Sequence, residues 1–322
     1  MFTSRDIQNR TIFVINCIKA RNLRVSNGEL LLEEAEEKKT LTKMPFQKIL
    51  ALFVIGHISI TTPLIDKCKK FNVSLIVVKP NLRPVFYWHD SAEANYLVRQ
   101  KQYQIEKTDL RIARALVSNK IHNQITLLKN TRRKDVLTMG AIDICAQNAE
   151  KVRTEQVYTH LMGLEGLSSK FFFEAYFQDL HWQHRYPRAK CDVINVTLDI
   201  GYTILFNFTE CYLRMFGFDL YVGVYHRLWF KRKSLVCDVM EPFRCIIDRA
   251  VRTAFHRKQF STADFITYKG EVRLKHELSA EYYKVFVEAL IQYKKEMFLY
   301  IQSFYRAFMR DVDSTSYPMF IL

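Results

Sequence analysis

The pattern of apolar and polar residues changes once along the chain, and the change predicts two structural regions. Up to Trp88, short β-branched and apolar runs alternate with turn residues, which is typical of strands. From Ser91 onward, apolar residues recur at helical spacing, and Gly and Pro become rare. The sequence therefore predicts an α+β protein, with a β-rich sheet or sandwich domain over residues 1–90 and a larger all-α domain over residues 91–322.

The β-rich region contains one strong turn signal. Asn27-Gly28 can adopt the positive φ angles of a type I′ turn, and both flanks within residues 23–32 are typical of strands, so a hairpin is predicted. A short helix is predicted over 63–71, since Pro is tolerated in the first turn of a helix. The other predicted strands cover residues 11–15, 49–54, 57–61, 73–78 and 84–88.

Helical spacing predicts seven helices in the second region. Asp192 is a suitable N-cap for the helix that begins at Val193. The predicted helices cover residues 92–128, 133–150, 152–163, 166–181, 192–217, 235–257 and 278–311.

The charge balance indicates which partners the protein can bind. The chain has 48 Lys and Arg against 33 Asp and Glu, a formal net charge of +15. Such an excess favours DNA, RNA or an anionic membrane surface, although a basic protein without such a partner is an alternative. The longest apolar stretch, residues 49–60, is too short to span a bilayer, so no membrane partner is expected.

The cysteines and the first residues bear on the compartment. The seven cysteines form no CxxC pair, and their odd number favours scattered thiols in a reducing cytoplasm over a disulfide framework or a zinc ribbon. Residues 1–6 are polar and do not resemble a signal peptide. A cytoplasmic location is the expectation.

Three short segments of the helical region carry chemistry. Glu165 lies between Gly163 and Gly166, and each glycine costs a helix roughly 1 kcal/mol relative to Ala, so a turn between two helices with a solvated Glu is one interpretation. His226 ends an apolar stretch that contains glycine, where a core or surface histidine is the alternative to a ligand.

The third segment is Asp238-Val239-Met240-Glu241-Pro242-Phe243-Arg244. Asp238 and Glu241 are three residues apart and can share a helix face, with Arg244 following on that face. A surface cluster of ion pairs would have the same pattern.

Together and in this order, the three segments resemble the CRISPR-associated integrases of spacer acquisition, the "Cas one" family. That family has a catalytic glutamate in a Gly-x-Glu-Gly context, a histidine after an aspartate–aromatic–glycine stretch and a D-L-M-E-x-F-R segment. These correspond here to Glu165, His226 and Glu241, with Val239 replacing Leu. The resemblance covers nearly the whole chain, and it extends to the hairpin, residues 58–62, Lys120, Asn123, Gln124, Asp192, Asn195 and Gly201-Tyr202. The basic-proline segment at residues 185–188 is looser than the family pattern.

The resemblance implies a DNA integrase and endonuclease. In the implied reaction a 3′-hydroxyl of donor spacer DNA attacks a phosphodiester of the repeat array, and Glu165, His226 and Glu241 hold a divalent ion. Carboxylates suit Mg²⁺, and an imidazole among the ligands makes Mn²⁺ suitable as well. Asp238 is either a fourth ligand or a residue that orients a ligand. The resemblance also implies a homodimer, with dimerisation through the β-rich domain, and a small ferredoxin-like "Cas two" partner subunit.

Clusters of basic residues are the predicted binding sites for double-stranded DNA. For any one cluster, a solvated face is the alternative. Two other functions stay open: a stand-alone metal-dependent nuclease on branched DNA, and a non-catalytic basic scaffold that binds nucleic acid. The predicted DNA-binding residues are Arg132, Arg133, Lys134, Arg227, Lys231, Arg232, Lys233, Arg252, Arg257 and Lys258.

Overall fold

The chain divides into two compact units. The first comprises residues 1–100 together with Glu210–Asp219, and the second comprises Lys101–Thr209 and Leu220–Leu322. The computed structural model describes residues 9–17, 21–37, 39–79, 84–89, 95–106, 108–180, 182 and 184–322. The predicted domain boundary at residues 90–91 lies outside the described residues and stays a prediction.

The first unit contains a four-stranded sheet and a three-stranded sheet. The four-stranded sheet has the order β1-β5-β6-β7, in which β1, β5 and β6 are parallel and β7 is antiparallel. The three-stranded sheet is antiparallel. The bounds are β1 Thr11–Cys17, β2 Arg21–Ser26, β3 Glu29–Glu34, β4 Thr40–Pro45, β5 Ile49–Gly56, β6 Ser74–Val78 and β7 Pro84–Trp88, and helix α1, Thr62–Phe71, connects β5 to β6.

Continuous apolar runs form the two inner strands of the larger sheet. Every residue of β5 and of β6 is buried, as expected where both faces of a parallel sheet are covered. The predicted hairpin is confirmed: Asn27 and Gly28 have φ angles of 48° and 80°, and Ser26 pairs with Glu29 across the turn.

Two assignments in the first unit were wrong. Residues 57–61, predicted as a strand because Ile and Thr are β-branched, are irregular and largely exposed, and none of the strands that the structure describes pairs with them. Strand β4 was missed because Thr-Leu-Thr-Lys has a weak apolar pattern; it forms along the edge of β3.

From Tyr96 onward the chain is mainly helical, with most of the helix Tyr96–Tyr103 and the end of the helix Val193–Met215 belonging to the first unit, and several predicted helices divide or merge. The predicted helix over 92–128 is two helices, and the last predicted helix is also two. Conversely, the predicted break between 163 and 166 does not exist. The bounds are α2 Tyr96–Tyr103, α3 Arg111–Lys129, α4 Val136–Thr154, α5 Tyr158–Tyr176, α6 Val193–Met215, α7 Ser234–Met240, α8 Arg244–His256, α9 Ser279–Gln292 and α10 Lys294–Arg310.

A β-hairpin corrects the prediction that this region is entirely helical. Strands β8, Phe265–Tyr268, and β9, Glu271–Leu274, pair in antiparallel fashion. Their turn residues, Lys269 and Gly270, have φ angles of 51° and 78°. Lys rarely adopts a positive φ, so the dipeptide gives a weaker turn signal than Asn-Gly.

The predicted cap of α6 is confirmed. The backbone N–H of Asn195 donates to Oδ1 of Asp192 at 2.7 Å, which satisfies a backbone donor in the first turn. All seven cysteines are free thiols, and five of them are buried. Among the described helices, none combines the length and apolarity needed to cross a membrane.

Candidate active site

Glu165 lies in the middle of one continuous helix. Helix α5 passes through both flanking glycines, so the interpretation of Glu165 as a turn residue was wrong. A Cβ atom built on Gly163 or on Gly166 would meet no atom within 4 Å. The two glycines are therefore not required by packing, and they leave the helix surface around Glu165 uncrowded.

Lys120 on α3 brings the two predicted glutamates to one point. Its ammonium lies 2.7 Å from Oε2 of Glu241 and also contacts Oε1 of Glu165. Its side chain is only 4% exposed, while those of Glu165 and Glu241 are 22% and 7% exposed. The two carboxylates thus converge on one cation although they lie on segments 76 positions apart in the sequence.

The shifted pKa values of Glu241 and Lys120 indicate that both residues are charged. Burial opposes ionisation of Glu241, but Arg244 and Lys120 outweigh it and lower the pKa of Glu241 to about 2. Burial likewise opposes the charge on Lys120, yet Glu165 and Glu241 raise the pKa of its ammonium above the ordinary value. A guanidinium nitrogen of Arg244 lies 3.4 Å from Glu241. The site therefore carries both buried negative and buried positive charge at neutral pH.

Asp238 holds His226 in place. Its Oδ1 lies 2.5 Å from Nδ1 of His226 and accepts the backbone N–H of the same residue at 2.8 Å. Its Oδ2 accepts the N–H groups of Val224 at 2.7 Å and Tyr225 at 3.0 Å. Asp238 is fully buried, and through these four contacts it orients both the loop and the imidazole.

The loop before His226 approaches Asp238 closely because Gly223 has no side chain. A Cβ atom there would lie 2.7 Å from Oδ2 of Asp238. The hydroxyl of Tyr225 lies 3.3 Å from Oε2 of Glu165, and its ring packs edge-on against Tyr158 at 5.9 Å. The loop therefore joins the histidine to the glutamate site.

Helix α3 supports the site through a motif that the sequence analysis did not assign to it. Lys120 contacts both glutamates, Asn123 donates to the carbonyl of Pro242 at 2.9 Å, and Gln124 donates to the hydroxyl of Ser169 at 3.4 Å. The three residues lie within four positions of one another, which places them on neighbouring parts of one helix surface. That spacing was the signal available in the sequence.

A basic cavity of about 440 Å³ opens beside Glu165. Lys170, Arg185 and Arg244 contribute to its lining together with Lys120. Arg244 also lies over the ring of the buried Tyr202 at 4.4 Å, and the hydroxyl of Tyr202 donates to Asp248. The cavity therefore presents positive charge next to the two carboxylates.

The ten predicted DNA-binding residues differ in their surroundings. Arg252 pairs with Asp179 and lies over the ring of Tyr176 at 5.0 Å, so its charge has a structural partner. Arg133 pairs with Asp135 at 2.6 Å. Arg227 lies over the ring of Tyr158 at 4.4 Å. Exposed basic residues of the set are Arg132, Arg133, Lys134, Arg227, Lys231, Arg257 and Lys258, and Arg232 and Lys233 are half-buried.

The donor set fits a hard divalent ion. Glu165 and Glu241 already direct carboxylate oxygens at one cation, the ammonium of Lys120, and hard oxygen donors are what Mg²⁺ and Mn²⁺ prefer. Over the described parts of the chain, however, no three acidic, His or Cys side chains stand close enough together to hold an ion without rearrangement. Lys120 occupies a place that a metal ion would share or take.

Fold and site define an α+β protein whose helical region holds a cluster of one lysine and two glutamates beside a histidine oriented by aspartate. The family profile "CRISPR associated protein Cas1" matches residues 18–288. A CRISPR-associated endonuclease Cas1 of Thermodesulfovibrio yellowstonii is 26% identical over 286 residues, covering 85% of this chain and 90% of that protein. The chain belongs to the Cas1 family.

Solved structures agree with the fold. The chain resembles a subunit of a partial Cas6-RT-Cas1–Cas2 complex with a TM-score of 0.75 at 21% identity, covering 97% of this chain and 99% of that one. It resembles a Cas1 protein from Thermotoga maritima with a TM-score of 0.73 at 16% identity, covering 92% and 97%. A casposase bound to its integration product is similar with a TM-score of 0.72 at 18% identity, covering 97% and 96%.

Proposed function

We propose that the protein is an integrase of CRISPR spacer acquisition, which joins donor DNA ends into the repeat array by divalent-metal-dependent strand transfer and also has metal-dependent endonuclease activity. The observation that carries the proposal is the convergence of Glu165 and Glu241 on one cation beside His226. In phosphodiester transesterification, negative charge gathers on the phosphate oxygens and on the attacking and leaving oxygens. A site with a cation between two carboxylates suits that charge distribution.

Each side chain of the site has a task in this proposal. Glu165 and Glu241 would hold the divalent ion, which would stabilise negative charge at the reacting phosphate. His226 would offer its Nε2 as a further ligand of the ion, because its Nδ1 is already bound by Asp238. Lys120 and Arg244 balance the charge of the glutamates and present cationic groups beside the cavity, where DNA phosphates would bind.

Partners are part of the proposal. Structural neighbours include a Cas1–Cas2 complex and a Cas1–DNA complex, the latter similar with a TM-score of 0.54 at 13% identity and covering 94% of this chain and 98% of that one. We propose that this chain likewise acts on double-stranded DNA as a homodimer with a small Cas2-type subunit. The net charge of +15 supports the DNA partner, because a polyanion gains from neutralisation by Lys and Arg.

An integration assay tests the activity. The protein is incubated with a labelled donor duplex and a supercoiled plasmid in Mn²⁺ or Mg²⁺, with and without a Cas2-type partner, and joined products are counted. Glu165→Ala, His226→Ala and Glu241→Ala should each abolish joining. The double variants should look like the single ones, because loss of any one ligand removes the same bound ion. Glu288→Ala, at an exposed position of α9, is the matched control.

Three results distinguish the competing functions. DNA cleavage without joining would favour a stand-alone nuclease on branched DNA. Binding of DNA without any metal-dependent chemistry would favour a scaffold. Full joining activity in Glu165→Ala or His226→Ala would exclude the proposed mechanism.

A further inference from the structure

Three consecutive apolar side chains protrude two positions after the histidine of the site, beyond Arg227. Leu228, Trp229 and Phe230 are 65%, 73% and 84% exposed. Single exposed apolar residues are ordinary, but three in succession with two large aromatic rings are costly to leave in water. We refer to residues 228–230 as the aromatic tip. Its exposure indicates a surface that another molecule covers.

Hydrogen bonds fix the base of the aromatic tip. The backbone N–H of Arg232 donates to the carbonyl of Trp229 at 3.0 Å, which closes a turn. The carbonyl of Arg227 accepts from the hydroxyl of Ser234 at 3.3 Å and from the guanidinium of Arg232. The loop thus presents its aromatic rings from a closed, hydrogen-bonded base, which lowers the conformational entropy lost on binding.

The tip is tied to the site by only three residues of chain. A fully extended residue spans at most about 3.6 Å, so the Cα atom of Trp229 lies within roughly 11 Å of that of His226. Successive nucleotides of a DNA strand are separated by about 3.4 Å along the helix axis. A distance of roughly 11 Å corresponds to about three nucleotides of a stacked strand, so a ring on the tip stays close to a strand that binds beside His226.

The charge around the tip selects the occupant. Arg227, Lys231, Arg232 and Lys233 flank the three apolar residues, and the ammonium of Lys231 lies 5.0 Å from the ring centre of Phe230. Aromatic rings interleaved with cations suit nucleic acid, because bases stack on the rings while phosphates contact the cations. A purely apolar protein partner would bring no anionic groups to this basic surface.

We propose that Trp229 and Phe230 stack on unstacked nucleobases close to the phosphodiester at which strand transfer occurs. The inference rests on the proposed function, since it takes DNA as the substrate. Such bases can come from a single-stranded 3′ end of the donor or from a distorted step of the recipient duplex, and both offer the same ligand, the face of an exposed base.

Tryptophan fluorescence provides a direct test. The chain has three tryptophans, and Trp182 is buried and Trp88 half-buried, so Trp229 is the one that a ligand can reach readily. The full-length protein is titrated with a donor duplex bearing single-stranded 3′ ends, with a blunt duplex, and with a recipient duplex containing a mismatched step. Base stacking should quench the emission, and Trp229→Phe should remove the quenched component while retaining binding.

Alanine variants measure the energetic contribution. Trp229→Ala with Phe230→Ala should weaken binding of DNA that has unpaired bases on the order of tenfold, and affect the blunt duplex much less. Tyr268→Ala is the matched control, because Tyr268 is 51% exposed and has Lys269 over its ring at 5.5 Å, yet lies in the β8–β9 hairpin. The control should bind as the parent protein does.

The outcomes separate this inference from the proposed function. Quenching by the donor with single-stranded ends alone assigns the donor as the source of the bases, and quenching by the mismatched duplex alone assigns the recipient; either supports the inference. DNA binding without any quenching, and with the alanine variant unchanged, overturns the inference but leaves the integrase proposal standing. Absence of DNA binding altogether would remove the proposed function itself.

Discussion

The buried carboxylate of Asp238 pairs with the partly exposed imidazole of His226, with 2.5 Å between Oδ1 and Nδ1. The same carboxylate accepts three backbone N–H groups of the loop that carries His226. Asp238 therefore has no free oxygen directed at Glu165 or Glu241, and the geometry favours the orienting role over that of a fourth ligand.

We expect Asp238→Ala to reduce strand transfer through disorder of this loop. The substitution leaves three backbone donors without their acceptor, each worth about 1–3 kcal/mol when buried, so thermal stability should fall as well. Asp238→Asn, which keeps the size of the side chain, should be milder, with activity lower on the order of 10- to 100-fold. Joining assays, melting temperatures and DNA binding would be measured together. Unchanged stability in Asp238→Ala would contradict the loop-holding role.

A divalent ion bound at Glu165 and Glu241, as proposed, would compete with Lys120 for the two carboxylates. Lys120→Met should lower the melting temperature in metal-free buffer, because Glu165 and Glu241 then lose a buried counter-charge, at a cost of about 3–5 kcal/mol. Added Mn²⁺ should restore stability, and its stabilising shift should exceed that of the parent protein. Lys151→Met, at an exposed position of α4, serves as the control. An equal Mn²⁺ shift in parent and Lys120→Met would show that the ion binds elsewhere.

Asp248 makes stability depend on pH in a defined direction. Burial raises its pKa from 3.8 to about 6, against the opposing effects of the Tyr202 hydroxyl and Arg244. Between these two values the unfolded chain loses a proton that the folded protein still holds, so this residue's contribution to stability is full below pH 3.8 and is lost as pH rises to about 6.

Asp248→Asn removes this dependence. The variant should exceed the parent protein in unfolding free energy at pH 7 by up to about 3 kcal/mol, since two pKa units correspond to that amount. The difference should shrink as pH falls towards 4. Denaturant titrations of both proteins over this range provide the check, and a difference independent of pH would refute the assignment.

Two glycines of the second unit should respond oppositely to alanine. A Cβ atom on Gly201 of α6 would lie 2.5 Å from a methyl carbon of Ile247 and 2.9 Å from the ring of Phe286, so Gly201→Ala should cost about 1–3 kcal/mol. Gly166→Ala in α5 meets open space and should add up to about 1 kcal/mol of stability through helix propensity. Thermal unfolding of the two variants and the parent protein would measure both effects on stability. Destabilisation by Gly166→Ala would indicate that the helix there is strained.

Features that depend only on neighbouring residues in the sequence were predicted correctly. Asn27-Gly28 defines a turn by its preference for positive φ, Asp192 caps a helix with its own carboxylate, and an unbroken apolar run gives the inner strand β5. These features need no distant partner, so the sequence by itself determined them, together with the α+β order of the two regions.

Tertiary structure decided the features that depend on distant residues. Strand β4 exists because β3 offers it an edge, and helix α5 continues through two glycines, because tertiary packing can outweigh their low helix propensity. The motif spacing named Glu165, His226 and Glu241, but the sequence alone did not reveal that Lys120 lies between the two glutamates. That position follows from the approach of α3 to α5 and to the turn at Glu241, which only the folded chain brings about, because attraction between buried opposite charges acts over a few ångströms and not along the sequence.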